Sequence, residues 1–353
     1  MRIYKTIFIQ NIYYMLSYAF TNLKKDSFED VSKEEFANIH NLFAAILAKG
    51  IGKQLKKGLY KEYIDKNENL MTLRGRINMQ GTIRNKMMKK TVLSCDYDEL
   101  SENNLLNQIL KTTVFILIRH ANVENKYKDD LIKKMTFFSN VDIIEPNIIK
   151  WSAIELQHNY NSYRLLINIC QLILEGMLLT TDTGSYKLAN YIDERHMHTL
   201  YEKFILEYYR KEYPTLSVNA SQIQWVIDDN KINMLPTMQS DITLSYGNKV
   251  LIIDAKFWEH TTQYYYDTNK IHSSNLYQIF TYVKNKDASF VESCHEVAGM
   301  LLYARTDELI QPDESYNMSG NKISVKTLDL NCEFKEISNQ LDLIVKDYYA
   351  DLL

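Results

Sequence analysis

Two apolar β-type runs, separated by Gly247 and Asn248, constrain the fold of this chain more than any other part of its sequence. A Gly-Asn dipeptide between such runs is typical of a two-residue hairpin turn, in which glycine adopts a positive φ. We therefore expect Tyr246 to pair with Lys249, with the two strands antiparallel. The turn fixes the register, because a slip of one residue would move every side chain to the other face.

The predicted register brings three charged side chains together at the open end of the hairpin. Counting outward from the turn places Asp241 opposite Asp254, and residues that lie opposite each other share a face of the sheet. Asp254 and Lys256 also share a face, because side chains alternate along a strand. The sequence thus predicts that two carboxylates and one ammonium group converge.

Crowded carboxylates are costly, because like charges across a strand pair repel unless a cation neutralises them. Mg²⁺ suits such a pair, since it takes oxygen ligands, retains several waters and is usually held by one or two carboxylates. Lys256 would then orient a water beside the cation or help to deprotonate it. The alternative interpretation is that Asp254 and Lys256 are an ordinary charged end of the apolar strand VLIIDAK.

The second half of the chain alternates helical and β-type patterns, which predicts an α/β fold with a mixed sheet flanked by helices. The predicted strands lie at about 222–227, 238–246, 249–257, 297–303 and 322–328. The predicted helices lie at about 194–211, 274–285 and 334–350. Pro146 interrupts the preceding pattern, so we place a boundary near residue 150 and expect domains 1–150 and 151–353, α+β overall.

The first half is predicted to mix helices and strands. Apolar residues at helical spacing predict one or two amphipathic helices within 11–60 and a capped helix over about 105–118. Between them, the stretch 70–90 is the most basic of the chain and includes Arg74, Arg76 and Arg84. A projecting hairpin or loop and an ordinary charged surface are both open interpretations of this stretch.

The overall composition argues against several classes of protein. The 353 residues carry a formal net charge of -3, so no global positive field favours a polyanion. The 4 cysteines lie far apart without a CxxC pair, which argues against a zinc ribbon or a disulfide framework. Neither a secretory leader nor an apolar run of membrane-spanning length is evident, so we expect a cytoplasmic protein without a membrane partner.

The charged residues of the hairpin resemble a known nuclease site. Asp241, Asp254 and Lys256 follow the pattern D-x12-D-x-K, with an apolar strand before the second Asp. This arrangement is similar to the PD-(D/E)xK nucleases, although Ser240 stands where the usual leading proline would be. The resemblance implies a restriction-endonuclease-like C-terminal domain.

Other segments extend the resemblance over most of the chain. Gln278 and Tyr282 lie four residues apart on a predicted helix, similar to the Q-x3-Y element of RecB-like members. Glu202 lies where many members carry an acidic residue on the preceding helix. The segments NIYYMLSYAF, LRGRINMQGTIR and DELSENNLLNQILK precede the hairpin in the expected order. Together these motifs resemble the McrC family, the nuclease subunits of McrBC modification-dependent restriction systems.

The resemblance implies an N-terminal domain that docks on a hexameric AAA+ GTPase, McrB, whose hydrolysis it stimulates, and a C-terminal endonuclease domain. The substrate would be double-stranded DNA containing modified cytosine, cut to 5′-phosphate and 3′-hydroxyl ends. The implied ligands for Mg²⁺, or for Mn²⁺ as a substitute, are Asp241, Asp254 and Glu202. The implied catalytic residues are Asp241, Asp254, Lys256, Glu202, Gln278 and Tyr282. The implied partner-docking residues are Arg74, Arg76 and Arg84.

No Walker A loop is present, because GIGKQLKKG near Gly50 lacks the required spacing and the Ser or Thr. We therefore expect that this chain alone binds no nucleotide. Two other functions stay open at the level of sequence. One is a self-sufficient PD-(D/E)xK nuclease that selects its own sites. The other is a non-catalytic subunit that activates and plugs an NTPase ring.

Overall fold

The computed structural model describes residues 7–20, 34, 36–154, 161–180, 186–189, 192–229, 233–258, 261–265, 268–290 and 294–350. The helices in these ranges are α1 (Ile9–Ala19), α2 (Ile39–Lys57), α3 (Met79–Met87), α4 (Leu105–Arg119), α5 (Asn125–Met135), α6 (Asn161–Gly176), α7 (Glu194–Glu212), α8 (Ser273–Ala288) and α9 (Phe334–Tyr348). None of these helices is long and apolar enough to cross a membrane.

The strands fall into one large sheet and several small ones. The first five are β1 (Glu62–Leu70), β2 (Arg76–Ile77), β3 (Leu93–Ser101), β4 (Leu178–Thr180) and β5 (Tyr186–Leu188). The next five are β6 (Ser217–Asn219), β7 (Gln222–Ile223), β8 (Met238–Gln239), β9 (Ile242–Tyr246) and β10 (Lys249–Lys256). The last five are β11 (Thr262–Tyr265), β12 (Thr268–Ile271), β13 (Glu296–Ala304), β14 (Glu314–Met318) and β15 (Asn321–Leu328).

The chain divides into two compact units. The first comprises residues 1–42 together with 175–353, and the second comprises residues 43–174. The N-terminal helix α1 therefore belongs to the same unit as the C-terminal strands and helices. These boundaries differ from the functional division at residue 150, which stays a prediction.

The first unit is built on a mixed sheet of six strands in the order β14-β15-β13-β10-β9-β6. The central strands β10, β13 and β15 run parallel, and β14 and β9 flank them antiparallel. Strand β6 pairs antiparallel with β9 at the edge. Strand β10 is almost wholly buried, as expected for a central strand covered on both faces. The predicted mixed α/β class is confirmed.

The hairpin between β9 and β10 has the predicted register. Tyr246 pairs with Lys249 and Ile242 with Ile253, so the ladder runs inward from the turn without a bulge. Gly247 has φ +54°, the conformation that makes glycine favourable in this turn. The predicted strand 238–246 is interrupted, however, because pairing with β10 stops at Ile242 and β8 pairs with β7 instead.

Helix α8 packs on the sheet through a shared apolar cluster. Ile252 of β10 and Leu301 of β13 lie in this cluster with Ile279 and Val283 of α8. The helix predicted at 274–285 is thus confirmed, with bounds extended by one to three residues. The terminal helix and the strands at 297–303 and 322–328 are confirmed with similar small shifts. The strand predicted at 222–227 is shorter, because only Gln222 and Ile223 are paired.

Helix α1 is joined to the first unit by buried polar and aromatic contacts. The Asn11 side-chain amide donates hydrogen bonds of 2.8 Å to the carbonyls of Leu330 and Cys332. Tyr18 donates a 2.8 Å hydrogen bond to Glu212 at the end of α7. The ring of Tyr14 stacks on Phe334 with a centroid separation of 4.2 Å. These contacts explain why the start of the chain belongs with its C-terminal half.

The second unit combines helices with a small antiparallel sheet, in the order β1-β3-β2. The capped helix predicted at about 105–118 is confirmed as α4, and the Asn104 side chain accepts the Asn107 N–H at its start. The basic stretch 70–90 is neither a simple hairpin nor a loop. It contains the end of β1, the short strand β2 and helix α3.

Candidate active site

Asp241 and Asp254 meet at the end of the β9–β10 hairpin, as the register requires. Asp241 immediately precedes the first residue of β9. Its Oδ2 accepts the backbone N–H of Ala255 at 2.8 Å. This carboxylate therefore takes the place of a backbone acceptor at the point where the ladder ends. The hydrogen bond fixes the Asp241 side chain beside the strand segment that carries Asp254.

Asp254 is fully buried, with 0% of its surface exposed. The Nζ of Lys256 lies 2.8 Å from its Oδ2. In the described part of the chain, however, neither Asp254 oxygen accepts a hydrogen bond of good geometry. A buried carboxylate with unused acceptor capacity is costly, and a bound cation removes that cost. Such an orphaned carboxylate therefore fits a metal ligand.

Burial and mutual repulsion shape the charge state of the pair. Burial is the largest effect on Asp241, and together with the negative charges of Asp254 and Glu202 it raises the pKa of Asp241 to about 8. Burial also raises the pKa of Asp254 above its usual value, although the adjacent Lys256 opposes this shift. The two carboxyl groups thus hold a proton near neutral pH that a divalent cation would displace.

Lys256 is held from its other side by α8. It is only 7% exposed, and its Nζ lies 3.4 Å from Oε1 of Gln278. The amide of Gln278 donates in turn to the hydroxyl of Tyr282 at 3.0 Å. The spacing of four residues puts Gln278 and Tyr282 on one face of α8, so the predicted Q-x3-Y pair and the lysine do come together.

Glu202 approaches the pair from α7. Its charge acts on both Asp241 and Asp254, which places it in the same electrostatic neighbourhood. Its Oε1 lies 2.8 Å from Nδ1 of His198, one turn earlier on the helix. The ring of Trp258, which follows β10, packs edge-on against the His198 ring at 5.8 Å between centroids. His198 was not predicted, although its i,i+4 spacing from Glu202 was a usable signal.

The donor set suits a hard cation better than a soft one. Asp241 and Asp254 offer carboxylate oxygens, and Mg²⁺ is commonly held by one or two carboxylates with waters completing its shell. Among the described residues, no three His, Cys, Asp or Glu side chains are already clustered as a metal site. Glu202, directed to His198, is therefore not a third preformed ligand.

Comparison with known proteins identifies the family. The family described as "McrBC 5-methylcytosine restriction system component" matches residues 6–304. The chain belongs to this McrBC family. The type IV methyl-directed restriction enzyme EcoKMcrBC of Escherichia coli (strain K12) is 28% identical over 347 residues, which cover 96% of this chain and 97% of that relative. The motif-based resemblance is thereby confirmed.

A solved structure of an McrBC assembly has a similar fold. It is a refined half-complex from a tetradecameric assembly of Thermococcus gammatolerans McrB AAA+ hexamers with bound McrC. The match has a TM-score of 0.52 at 18% identity and covers 95% of this chain and 76% of that chain. At this low identity the likeness concerns the fold.

The three basic residues predicted to contact a partner are Arg74, Arg76 and Arg84, and they differ from one another in their contacts within this McrBC family member. Arg74 lies 3.2 Å from Glu99 and stacks over the Tyr97 ring at 4.1 Å, so it is engaged within its own sheet. Arg76 and Arg84 are exposed, and neither forms an ion pair with any described residue. Of the three predicted residues, Arg76 and Arg84 are therefore the ones available to meet an external carboxylate or phosphate.

Proposed function

We propose that this chain is the DNA endonuclease subunit of a McrBC-type restriction complex. The observation that carries the proposal is the buried Asp254 carboxylate, which accepts no hydrogen bond of good geometry yet lies beside Asp241 and Lys256. Structural roles do not require two carboxylates with raised pKa values at the end of a central strand. Groups perturbed in this way are typical of catalytic sites.

The residues divide the work of phosphodiester hydrolysis in a PD-(D/E)xK arrangement. Asp241 and Asp254 would hold Mg²⁺, or Mn²⁺ in its place, and Glu202 would contribute to the negative potential there. The bound cation supplies electrostatic stabilisation of the phosphate group under attack. Lys256 places a second positive charge at the reacting phosphate. Gln278 and Tyr282 orient the lysine through the hydrogen bonds described above.

Partnership is proposed from family membership. The similar McrC is bound to McrB AAA+ hexamers, and we propose a McrB-like GTPase hexamer as partner of this chain as well. The target would be double-stranded DNA with modified cytosine in the cytoplasm. In this arrangement the chain stimulates GTP hydrolysis by the ring, with Arg76 and Arg84 among its contacts, and cleaves the DNA.

Reconstitution tests the proposal. The chain is combined with a McrB-like AAA+ protein, GTP, Mg²⁺ and a methylated plasmid, and cleavage is measured for wild type and Asp254→Ala. We expect the variant to fold and bind the ring but to lose cleavage, because a cation ligand is removed without loss of apolar packing. Lys256→Ala should also lose cleavage while keeping cation binding, since an ammonium group is no ligand.

The same reconstitution separates the alternatives. Full cleavage by folded Asp254→Ala would rule out the assigned site. Cleavage by the wild-type chain without the ring would favour a self-sufficient nuclease. Stimulated GTP hydrolysis without any DNA cleavage would favour a non-catalytic activator.

A further inference from the structure

Trp258 is an exposed indole at the edge of the candidate active site. It lies two residues beyond Lys256, so the two Cα atoms are at most about 7 Å apart. Trp258 is 44% exposed, whereas the other two tryptophans of the chain, Trp151 and Trp225, are half-buried. Tryptophan is highly buried on average, because its ring offers a large apolar area. An exposed indole beside the charged groups of the site is therefore a candidate contact residue.

The segment that carries Trp258 is anchored on both sides. Phe257 is only 4% exposed, and the centroid of its ring lies 5.9 Å from that of Tyr201 on α7. Thr261 is fully buried, and its backbone N–H donates a 2.7 Å hydrogen bond to the carboxylate of Glu308. The exposure of Trp258 is therefore not a consequence of a loosely packed chain.

The contact between Trp258 and His198 leaves part of the indole available. The two ring planes are inclined by 71° with their centroids 5.8 Å apart. In such an arrangement the edge of one ring meets the face of the other, so His198 covers at most one face of the indole. His198 also holds Glu202. The indole thus presents a flat apolar surface to solvent directly beside the acidic residues of the site.

DNA, the proposed substrate, carries a group that suits this surface. The charges of Asp241, Asp254 and Glu202 repel phosphates unless a cation and Lys256 offset them. A nucleobase has no charge and so is not repelled, and each base stacked on an aromatic side chain adds to the affinity for DNA. A stacking surface next to the reacting phosphate therefore strengthens binding where the electrostatic contribution is weakest.

We propose that Trp258 stacks on a nucleobase of the DNA strand to be cut, next to the reacting phosphate. This inference rests on the proposed function, because it takes DNA as the substrate of the site. Within an intact duplex both faces of a base are covered by its neighbours. Trp258 can therefore stack only on a base that has left the duplex stack, so the site favours locally opened DNA.

The fluorescence of the full-length chain tests this contact, because a base stacked on an indole quenches its emission. The chain is titrated with a short oligodeoxythymidylate and with a short duplex, with Ca²⁺ in place of Mg²⁺ to avoid cleavage. Trp258→Phe keeps an aromatic ring, whereas Trp258→Leu keeps apolar bulk against His198 without a π face. The matched control is Trp225→Phe, since the Trp225 indole donates its N–H to the carbonyl of Pro236 instead.

We expect the single strand to quench the emission of wild type and of Trp225→Phe, and to quench Trp258→Phe much less. Trp258→Leu should bind the single strand about tenfold more weakly than wild type, and Trp258→Phe should stay within about threefold of wild type. The duplex should quench wild type only at higher concentrations than the single strand does, because a base must first be unstacked. Circular dichroism checks the fold of each variant.

Unquenched emission of wild type would overturn this inference alone, as would equal quenching of wild type and Trp258→Phe. The Mg²⁺ dependence of cleavage by the complex with a McrB-like AAA+ protein provides a second test. If Trp258→Leu raises the Mg²⁺ concentration for half-maximal cleavage but leaves DNA affinity unchanged, the indole acts by packing on His198, and the inference is wrong. Failure of the wild-type complex to cut DNA would contradict the proposed function, and this inference with it.

Discussion

Asp241 combines a structural hydrogen bond with an unfavourable charge. Its Oδ2 accepts the Ala255 N–H, yet burial and neighbouring carboxylates raise its pKa to about 8. An unfolded aspartate titrates near pH 4, so between about pH 4 and about 8 the folded state binds the extra proton. The free energy of unfolding must therefore fall as the pH rises through this window.

Asp241→Asn should remove this loss of stability, because the amide oxygen still accepts the Ala255 N–H without carrying charge. We expect the variant to exceed wild type in unfolding free energy at pH 8.5 by at least about 1.4 kcal/mol, the equivalent of one pKa unit. The gain should shrink at pH 5. Urea denaturation without divalent cations measures both values, with exposed Asp307→Asn as control. A gain independent of pH would contradict the raised pKa.

His198 offers a second prediction at the residue scale. It holds Glu202, whose negative charge acts on Asp241 and Asp254, at 2.8 Å, and residues that orient charged groups around a metal commonly alter metal affinity about 10- to 100-fold. We therefore expect His198→Ala to raise the Mg²⁺ concentration for half-maximal cleavage about tenfold. His196, paired with Asp193 at 2.7 Å on the same helix, provides the control variant His196→Ala. Identical Mg²⁺ dependence of the two variants would exclude a role for His198 in positioning Glu202.

At the scale of elements, the hairpin was predictable because its signals are local. The Gly247-Asn248 turn and the alternation of side chains determine the register, and the register determines that Asp241 and Asp254 meet. Strand β1 escaped prediction because its residues are largely exposed on both faces, so no apolar alternation marks it. Helix α3 escaped because its apolar residues face outward. Hydrophobic periodicity in a sequence reveals an element only when its buried face is apolar, and neither β1 nor α3 has an apolar buried face.

Helix α1 provides a prediction for an element that the sequence placed in the other domain. Asn11→Ala removes two hydrogen bonds, one of them buried, and takes the side-chain donor away from the carbonyls of Leu330 and Cys332. We expect a loss of about 2–3 kcal/mol in the free energy of unfolding. Urea denaturation measures the loss, and Ser17→Ala on the same helix, which removes only a local bond to Tyr14, is the control. Equal stability of both variants would show that α1 is not integral to the first unit.

At the scale of the whole molecule, the chain leaves the first unit after residue 42 and returns at residue 175. A fragment starting at residue 151 would therefore lack α1, although it contains every candidate catalytic residue. We expect fragment 151–353 to be less stable than the full chain and prone to aggregation, because residues packed against α1 become exposed. Fusing residues 7–20 through a flexible linker should restore cooperative unfolding. Cooperative unfolding of 151–353 alone would instead support a boundary at residue 150.

The hairpin also limits how relatives of this chain can differ in length. Asp241 and Asp254 share a face only while the number of residues on each side of the turn keeps its parity. A single residue inserted into either strand would direct one carboxylate to the opposite face. Matched insertions, one in each strand, would leave both carboxylates together and only move the turn outward. Insertions or deletions in this hairpin should therefore occur in both strands together. The number of residues in each strand is then as strictly constrained as the identity of the two aspartates.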